Sequence, residues 1–172
     1  QCGELTYSIT RELVDEVVTV EEDEIIRTVL LLMERCKLVV EAAGAAGVAA
    51  LLGGKLPVKG KRTAVVLSGG NIDMTMVGRI IAHGLSIQGR YLSLRVLVPD
   101  RPGQLLKLLN VVADQGVNVL DVSHHRAAPR APIQQVEVSL VLETRDRPHC
   151  DFLIGLLRER GFAVKEENHV FE

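Results

Sequence analysis

The fold of the C-terminal half is decided by a stretch that reads YLSLRVLVPDRPG from Tyr91 to Gly103. Apolar residues alternate with other residues over 91–98, which predicts a strand with one buried face because successive side chains of a strand point to opposite sides. Two prolines and a glycine between 99 and 103 indicate that the strand ends in a turn. The predicted buried face consists of Leu92, Leu94, Val96 and Val98.

The rest of this half alternates between helical and strand periodicity, and its third strand shows the clearest alternation of the chain. The order of elements is βαββαβ, which is the ferredoxin-like split unit. After the first strand the predicted elements are a helix through Leu105, Leu106, Leu109 and Val112 up to Gly116, a strand Val117–Val122, a loop 127–132, a strand bearing Val136, Val138, Leu140 and Leu142, a helix through Phe152, Leu153, Leu156 and Leu157 up to Gly161, and a strand Phe162–Lys165.

The first half alternates strand-like and helix-like segments, and this order is typical of α/β architecture, in which ligands collect at the carboxyl ends of strands. The polar segment 86–90 predicts a boundary, so we expect one domain over residues 1–90 and a second over 91–172. The predicted elements are a strand Leu13–Val20, a helix from the acidic run at Glu21 to Lys37, a small-residue helix Ala42–Leu52 closed by Gly53 and Gly54, a strand Lys61–Leu67, a turn Ser68–Asn71, and a helix bearing Met76, Val77, Ile80, Ile81 and Leu85.

Composition excludes several classes of protein. The formal charge of −2 provides no single-sign field that would gather nucleic acid or anionic lipid. No apolar run reaches the ~20 residues that a membrane helix requires. Cys2, Cys36 and Cys150 match neither a metal motif nor a secreted disulfide framework, which favours the cytoplasm. Because the sequence begins with Gln1 and not with methionine, we expect it to be the later part of a longer protein.

Several stretches of the chain, taken together, resemble the threonine dehydratase (threonine ammonia-lyase) group of fold-type II pyridoxal-phosphate enzymes. The resemblance implies that residues 1–90 are the C-terminal part of a catalytic domain similar to tryptophan synthase β, and that residues 91–172 are an α+β ACT regulatory domain. Ala42 departs from the glycine or proline usual in relatives. The matching stretches are Gly3–Tyr7, Leu13–Val20, Val40–Ala45, Leu67–Asp73, Val98–Leu105 and Gly116–Val122.

The Ser68-Gly69-Gly70-Asn71 turn is the predicted contact with pyridoxal 5′-phosphate. The resemblance implies that the Ser68 hydroxyl meets the pyridine nitrogen, where a neutral group limits how far charge spreads into the ring. The glycines let the backbone approach the flat ring, and Asn71 can cap the following helix. Taken alone, the same tetrapeptide is typical of an ordinary capped turn.

Glu41 follows an apolar run, an unfavourable place for a lone carboxylate, and the resemblance implies that it lies in the cofactor region. The alternative is a charge at the start of the next helix. No lysine of this chain stands in the family's Schiff-base motif, so no catalytic residue is predicted here and the lysines are interpreted as surface residues. These are Lys37, Lys55, Lys59, Lys61, Lys107 and Lys165.

The resemblance implies that the parent enzyme converts L-threonine to 2-oxobutanoate and ammonia, and that its ACT domains pair into a dimer or tetramer. The βαββαβ unit is expected to expose the edge of its first strand, which invites pairing with a second copy. An amino-acid effector, isoleucine or valine, is expected at the seam, held by Asp100, Gly103 and Asn118. A turn followed by an ordinary strand is the alternative for these residues. A metal site at His124 and His125 is disfavoured because consecutive strand residues face opposite ways.

Two further functions remain open from the sequence. One is a sister enzyme, a serine dehydratase or serine racemase. The other is a non-catalytic ACT protein that senses amino acids. A protein that only senses amino acids would not need Ser68 and Glu41 placed within a strand, turn and helix. The first half of the sequence therefore favours an enzyme.

Overall fold

The computed structural model describes residues 3–125 and 134–167. Contacts divide the chain into two compact units, Gln1–Ile72 and Asp73–Glu172. The helix that precedes the first strand belongs to the second unit, where it packs on that strand. The boundary at residue 90 stays a prediction. The loop predicted at 127–132 lies outside the described residues.

The first unit contains helices α1 (Glu4–Leu13), α2 (Glu22–Leu31) and α3 (Ala42–Leu52). A π-helical turn, Leu32–Cys36, extends α2 and ends at Lys37, which has a left-handed φ of 59°. The predicted helices over 21–37 and 42–52 are therefore confirmed. Helix α1 was not predicted.

Helices α2 and α3 pack against each other. The small side chains of α3 allow this close approach, since an alanine keeps two helix backbones near one another. A capping box stabilises the start of α2, where the backbone N–H of Glu21 donates to Glu24 Oε2 at 2.8 Å. The buried residues are Thr28, Val29 and Leu30 of α2 and Gly44, Ala45, Ala49 and Ala50 of α3.

The strands predicted at Leu13–Val20 and Lys61–Leu67 are wrong. Leu13 ends α1, and neither segment forms a strand. Val17 is 77% exposed and Val66 is 83% exposed. β-Branched residues favour extended backbone, but a strand also requires a neighbour to complete its hydrogen-bond ladder. The described part of the first unit contains no strand that could be this neighbour.

The second unit confirms the predicted order βαββαβ after an initial helix. Asp73, not Asn71, caps that helix, because its carboxylate accepts from the Thr75 N–H at 2.6 Å. The elements are α4 (Met74–Ile87), β1 (Tyr91–Pro99), α5 (Gln104–Ala113), β2 (Asn118–His125), β3 (Gln135–Glu143), α6 (Arg147–Glu159) and β4 (Ala163–Glu167).

The four strands form one antiparallel sheet in the order β2-β3-β1-β4. Strand β1 pairs with β3 on one side and with β4 on the other, so the predicted exposed first-strand edge is wrong. Helix α5 leads to β2, two positions away from β1, and β3 then fills the place between them. Helix α6 leads to the other side of β1, where β4 joins the sheet. The edges of the sheet are β2 and β4.

The core lies between the sheet and the two helices of the βαββαβ unit. The predicted inward residues of β1 and β3 are all buried, but two predicted helix residues are exposed. Leu106 is 62% exposed and Phe152 is 55% exposed, while Leu108 and Ile154 are buried instead. Apolar residues cover so much of α5 that periodicity alone does not settle which side faces the sheet.

The connector between α4 and β1 is fixed to the corner between β3 and α6. The carbonyl oxygen of Gly89 accepts from Thr144 Oγ1 at 2.7 Å and from Cys150 Sγ at 3.2 Å. The N–H of Thr144 donates to the carbonyl of Arg90 at 2.8 Å. Gly89 has a φ of +69°, and a Cβ atom there would lie 2.4 Å from the backbone nitrogen of Arg147. Only glycine fits this position without a shift of the corner.

Replacement of Gly89 by alanine should destabilise the second unit strongly. The added methyl group clashes with backbone atoms, and alanine is unfavourable at the positive φ of this position. The free energy of unfolding should therefore fall by more than the roughly 1–2 kcal/mol that the left-handed conformation costs by itself. Hydrogen exchange of β1 and β3 peptides, followed by mass spectrometry, measures the effect. Gly155→Ala is the matched control, because a Cβ atom there meets nothing within 4 Å. The Gly155→Ala variant should leave the protection of these peptides unchanged or increase it. Equal protection in the Gly89→Ala and Gly155→Ala variants would contradict the clash.

The thiol of Cys150 should react more slowly than that of Cys36 with an alkylating reagent. Cys150 is buried and Cys36 is exposed. Burial raises the pKa of the Cys150 thiol, although the hydrogen bond with Thr144 opposes this rise. A higher pKa leaves less of the reactive thiolate at any given pH, so the pH at which Cys150 begins to react should be higher. Peptide mapping after iodoacetamide treatment across a pH series measures both rates. Similar rates in the folded protein would show that the burial is wrong.

Candidate functional site

The start of α3 and the 68–71 turn come together in the first unit. Glu41 precedes α3 with extended backbone, at φ −65° and ψ 158°. Its N–H donates to the carbonyl oxygen of Gly69 at 3.2 Å, while its own carbonyl accepts from the N–H of Ala45 at 3.1 Å. One residue therefore joins the first turn of the helix to the predicted cofactor turn.

The side chain of Glu41 lies against Gly69. Gly69 has a φ of +79°, and a Cβ atom built on it would lie 2.2 Å from Glu41 Cδ. The left-handed backbone and the lack of space both require glycine here. Two segments that the sequence singled out separately, Glu41 and the Ser-Gly-Gly-Asn turn, are thus in direct contact.

The other residues of the turn differ in their surroundings. Ser68 and Gly70 are exposed, and a Cβ atom on Gly70 would meet only the carbonyl oxygen of Val39, at 3.8 Å. Asn71 is exposed and does not cap α4, a role that belongs to Asp73. Ser68, Gly70 and Asn71 are therefore all accessible to solvent, and Gly70 adds no side chain to this surface.

Gly44 contacts the Ser68 end of the turn, and the sequence analysis did not single it out. A Cβ atom on Gly44 would lie 1.7 Å from the carbonyl oxygen of Ser68. Glu41, Gly44 and Gly47 are three residues apart and so share one side of α3. Glycine at 44 and 47 in a helix otherwise rich in alanine was the available signal.

The predicted effector residues lie at opposite ends of the sheet within one chain. The N–H of Asp100 donates to the carbonyl of Gln134, just beyond the end of β1. Asn118 and Tyr91 both pair with Glu143, at the other end. The length of β1 separates these ends by ~25 Å at about 3.3 Å per residue. One copy of the chain therefore does not bring Asp100 and Asn118 to the same ligand.

Gly103 precedes α5 in the left-handed conformation, with a φ of +84° and nothing within 4 Å of an added Cβ atom. No side chain caps this end of α5. The amide of Asn118 donates to Glu143 Oε2 at 3.1 Å. Asn118 also borders a cavity of about 470 Å³, whose other lining residues are Gln115, Gly116, Glu143, Thr144, Arg145, His149 and Phe152.

Three of the lysines that were predicted to be surface residues form an ion pair or a hydrogen bond with a nearby residue. Lys55 Nζ lies 3.2 Å from Glu24 Oε1, Lys165 Nζ lies 3.1 Å from Glu167 Oε1, and Lys37 Nζ donates to the carbonyl of Glu34 at 2.8 Å. Over 3–125 and 134–167 there is no cluster of three or more histidine, cysteine or acidic side chains that could hold a metal ion. In the same ranges no helix combines the length and apolar character needed to cross a membrane.

Two known protein families match this chain, one over the segment that contains Glu41 and one within the antiparallel βαββαβ unit. Residues 1–69 match the family of pyridoxal-phosphate dependent enzymes, and residues 92–149 match the ACT domain. The chain therefore has a segment similar to pyridoxal-phosphate dependent enzymes, followed by a segment similar to an ACT domain. This combination confirms the fold class predicted from the sequence.

Two curated relatives match almost the whole chain, and both are named L-threonine ammonia-lyase. The protein of Thermotoga maritima is 47% identical over 163 residues, which cover 95% of this chain and 40% of the relative. The protein of Geobacter sulfurreducens is 42% identical over 162 residues, which cover 94% and 40%. The chain thus spans about 40% of the length of these relatives. Among solved structures, prephenate dehydratase from Streptococcus mutans matches 44% of this chain and 40% of its own, with 21% identity and a TM-score of 0.38.

Proposed function

We propose that this chain is the regulatory part, together with the end of the catalytic domain, of an enzyme that deaminates L-threonine to 2-oxobutanoate and ammonia. The observation that carries the proposal is the contact between Glu41 and the Ser68–Asn71 turn, in a segment that matches pyridoxal-phosphate dependent enzymes. The names of the two relatives that match almost the whole of this chain support threonine as the substrate. Free thiols at Cys36 and Cys150 are consistent with a cytoplasmic location.

The turn fits one end of a flat aromatic cofactor. Gly70 presents bare backbone, and the exposed Ser68 offers a hydroxyl that donates or accepts a hydrogen bond. Pyridoxal phosphate, when bound, supplies an electron-withdrawing ring that stabilises the negative charge developing at the substrate's α-carbon. The ring would be held from one side by Ser68, Gly69, Gly70 and Asn71. Glu41 would support the turn from the side away from the ring.

The chemical role of Ser68 follows from its neutrality. A carboxylate at this position would favour a protonated pyridine nitrogen and a stronger electron sink, whereas a hydroxyl does not. A weaker sink suits an elimination in which the β-hydroxyl leaves promptly. The lysine that forms the Schiff base and removes the α-proton belongs, in this proposal, to a portion of the enzyme outside this chain.

In the complete enzyme, Ser68→Ala should retain the cofactor but lose most of its turnover. Loss of one well-placed hydrogen bond should cost about 1–3 kcal/mol of transition-state stabilisation, which lowers kcat by roughly 5- to 150-fold. Steady-state kinetics with threonine and with serine measure turnover and substrate preference, while absorbance of the bound cofactor measures its retention. Ser93→Ala, a hydroxyl on β1 of the ACT sheet, is the control. Turnover within about twofold of wild type for Ser68→Ala would remove the assignment.

The regulatory part of the proposal is pairing of two ACT domains along β2. This strand is an edge of the sheet, so one side of its backbone has no neighbouring strand among residues 3–125 and 134–167. Its side chains Val119, Leu120 and Val122 are exposed. A second copy that pairs antiparallel about a two-fold axis would continue the sheet and cover these residues.

Such a pair would also complete the effector site. Antiparallel pairing reverses the partner's β2, so the partner's Asn118 would come to the end of the sheet where Asp100 and Gly103 lie. The uncapped start of α5 at Gly103 suits the carboxylate of an amino acid. Isoleucine or valine is the proposed effector, and it can regulate only if it prefers one arrangement of the pair, with a coupling of about 1–3 kcal/mol.

The 172-residue chain should bind isoleucine or valine with a Kd below about 1 mM and should sediment as a dimer or larger oligomer. Asp100→Ala and Asn118→Ala should each weaken binding, because each removes a polar contact to the effector. Calorimetric titration with isoleucine, valine, serine and threonine measures affinity, and Asp114→Ala at the other end of α5 is the control.

A third variant separates pairing from ligand contact. Val122→Lys places a charge on the β2 edge and should weaken both dimerisation and binding, as measured by analytical ultracentrifugation and calorimetry. Tight binding by a monomeric Val122→Lys protein, or binding unaffected by both alanine variants, would show that the effector site is elsewhere.

A further inference from the structure

We infer that Gly44 is a positioning residue that sets the location of the Ser68 hydroxyl. The inference rests on the proposed function, since it concerns how the cofactor turn is held. A Cβ atom on Gly44 would lie 1.7 Å from the carbonyl oxygen of Ser68 and 2.8 Å from its carbonyl carbon. Both atoms are backbone, so no side-chain rotation relieves the clash. Helix α3 therefore rests directly on the Ser68 peptide.

A second contact with the start of α3 also holds the turn. The carbonyl oxygen of Gly69 accepts from the N–H of Glu41, and the Glu41 side chain lies against the Gly69 Cα. The Ser68 peptide is thus fixed by a steric stop at Gly44 and, one residue later, by the hydrogen bond at Gly69. Both partners belong to the start of α3, which is packed on α2 through buried alanines. The position of the serine is consequently determined by a rigid helix pair.

The composition of α3 supports a specific role for this glycine. Alanine occupies six of the eleven positions of the helix, AAGAAGVAALL, and glycine is less favourable than alanine inside a helix. Helix propensity therefore favours alanine at 44. The contact with Ser68 explains why a less favourable residue is present. Gly47 has a milder contact, 2.9 Å from Val65 Cγ1, which is the end of a side chain.

Gly44→Ala should displace the turn by more than 1 Å, because an ordinary carbon contact requires 3.4 Å or more and only 1.7 Å is available. A misplacement of about 1 Å at a reacting centre can lower turnover ~100-fold. The loss should fall on kcat while KM changes little, since the affected hydroxyl is proposed to contact the cofactor and not the substrate.

The experiment compares Gly44→Ala with two control variants. In Gly47→Ala the added Cβ atom meets only a side chain, and in Gly155→Ala it meets nothing within 4 Å. In the 172-residue chain, hydrogen exchange should increase at Glu41 and in peptides over 65–71 for Gly44→Ala, while α2 and α3 keep their protection. In the complete enzyme, the same variant should lower kcat ~100-fold and alter the circular dichroism of the bound cofactor. Gly47→Ala should have a smaller effect and Gly155→Ala none.

Unchanged exchange over 65–71, or unchanged kcat and cofactor dichroism, would overturn the inference. Loss of protection throughout α2 and α3 would also overturn it, because Gly44 would then be a packing residue only. Failure of the proposed function is distinguished by Ser68→Ala. If that variant is fully active, the function is wrong, whereas a damaged Ser68→Ala beside an intact Gly44→Ala rejects the positioning role alone.

Discussion

The hydrogen bonding of β1 on both of its sides is the constraint on which the ACT unit depends. Because β3 and β4 flank it, every inward residue of β1 faces α5 and α6, and the core forms around that row. Its interior position also leaves β2 at one edge, with Asn118 and Asp100 at opposite ends of the sheet. The pairing surface and the division of the effector site between two copies, both of which we propose, follow from this one placement.

The sequence predicted well what depends on neighbours along the chain. Alternation over 91–98 and 136–142 located β1 and β3, and the acidic start near Glu21 and the glycines after Leu52 located two helices. It failed where the answer depends on distant partners. The run over 61–67 has strand composition but no neighbouring strand in the described part of its unit, and the interior position of β1 follows from topology that periodicity does not encode.

The turn that we propose to contact the cofactor shows the same division between local and distant information. Family resemblance singled out Glu41 and Ser68–Asn71, and the structure brings Glu41 against Gly69. Gly44 was missed because a glycine within a small-residue helix signals close packing without naming the partner. Asn71 was misjudged as the cap because Asp73, two residues later, competes for the same role with a carboxylate.

The corner at Gly89 has a consequence for building chimeric enzymes from this ACT domain. The carbonyl of Gly89 is bonded to both Thr144 and Cys150, and α4 packs on β1. A graft that begins at Tyr91 would discard these bonds and leave two buried polar groups, the hydroxyl and the thiol, without their acceptor. The transferable module therefore begins before α4, at Asp73, and a designer who wants the domain to fold in a new host should move α4 with it.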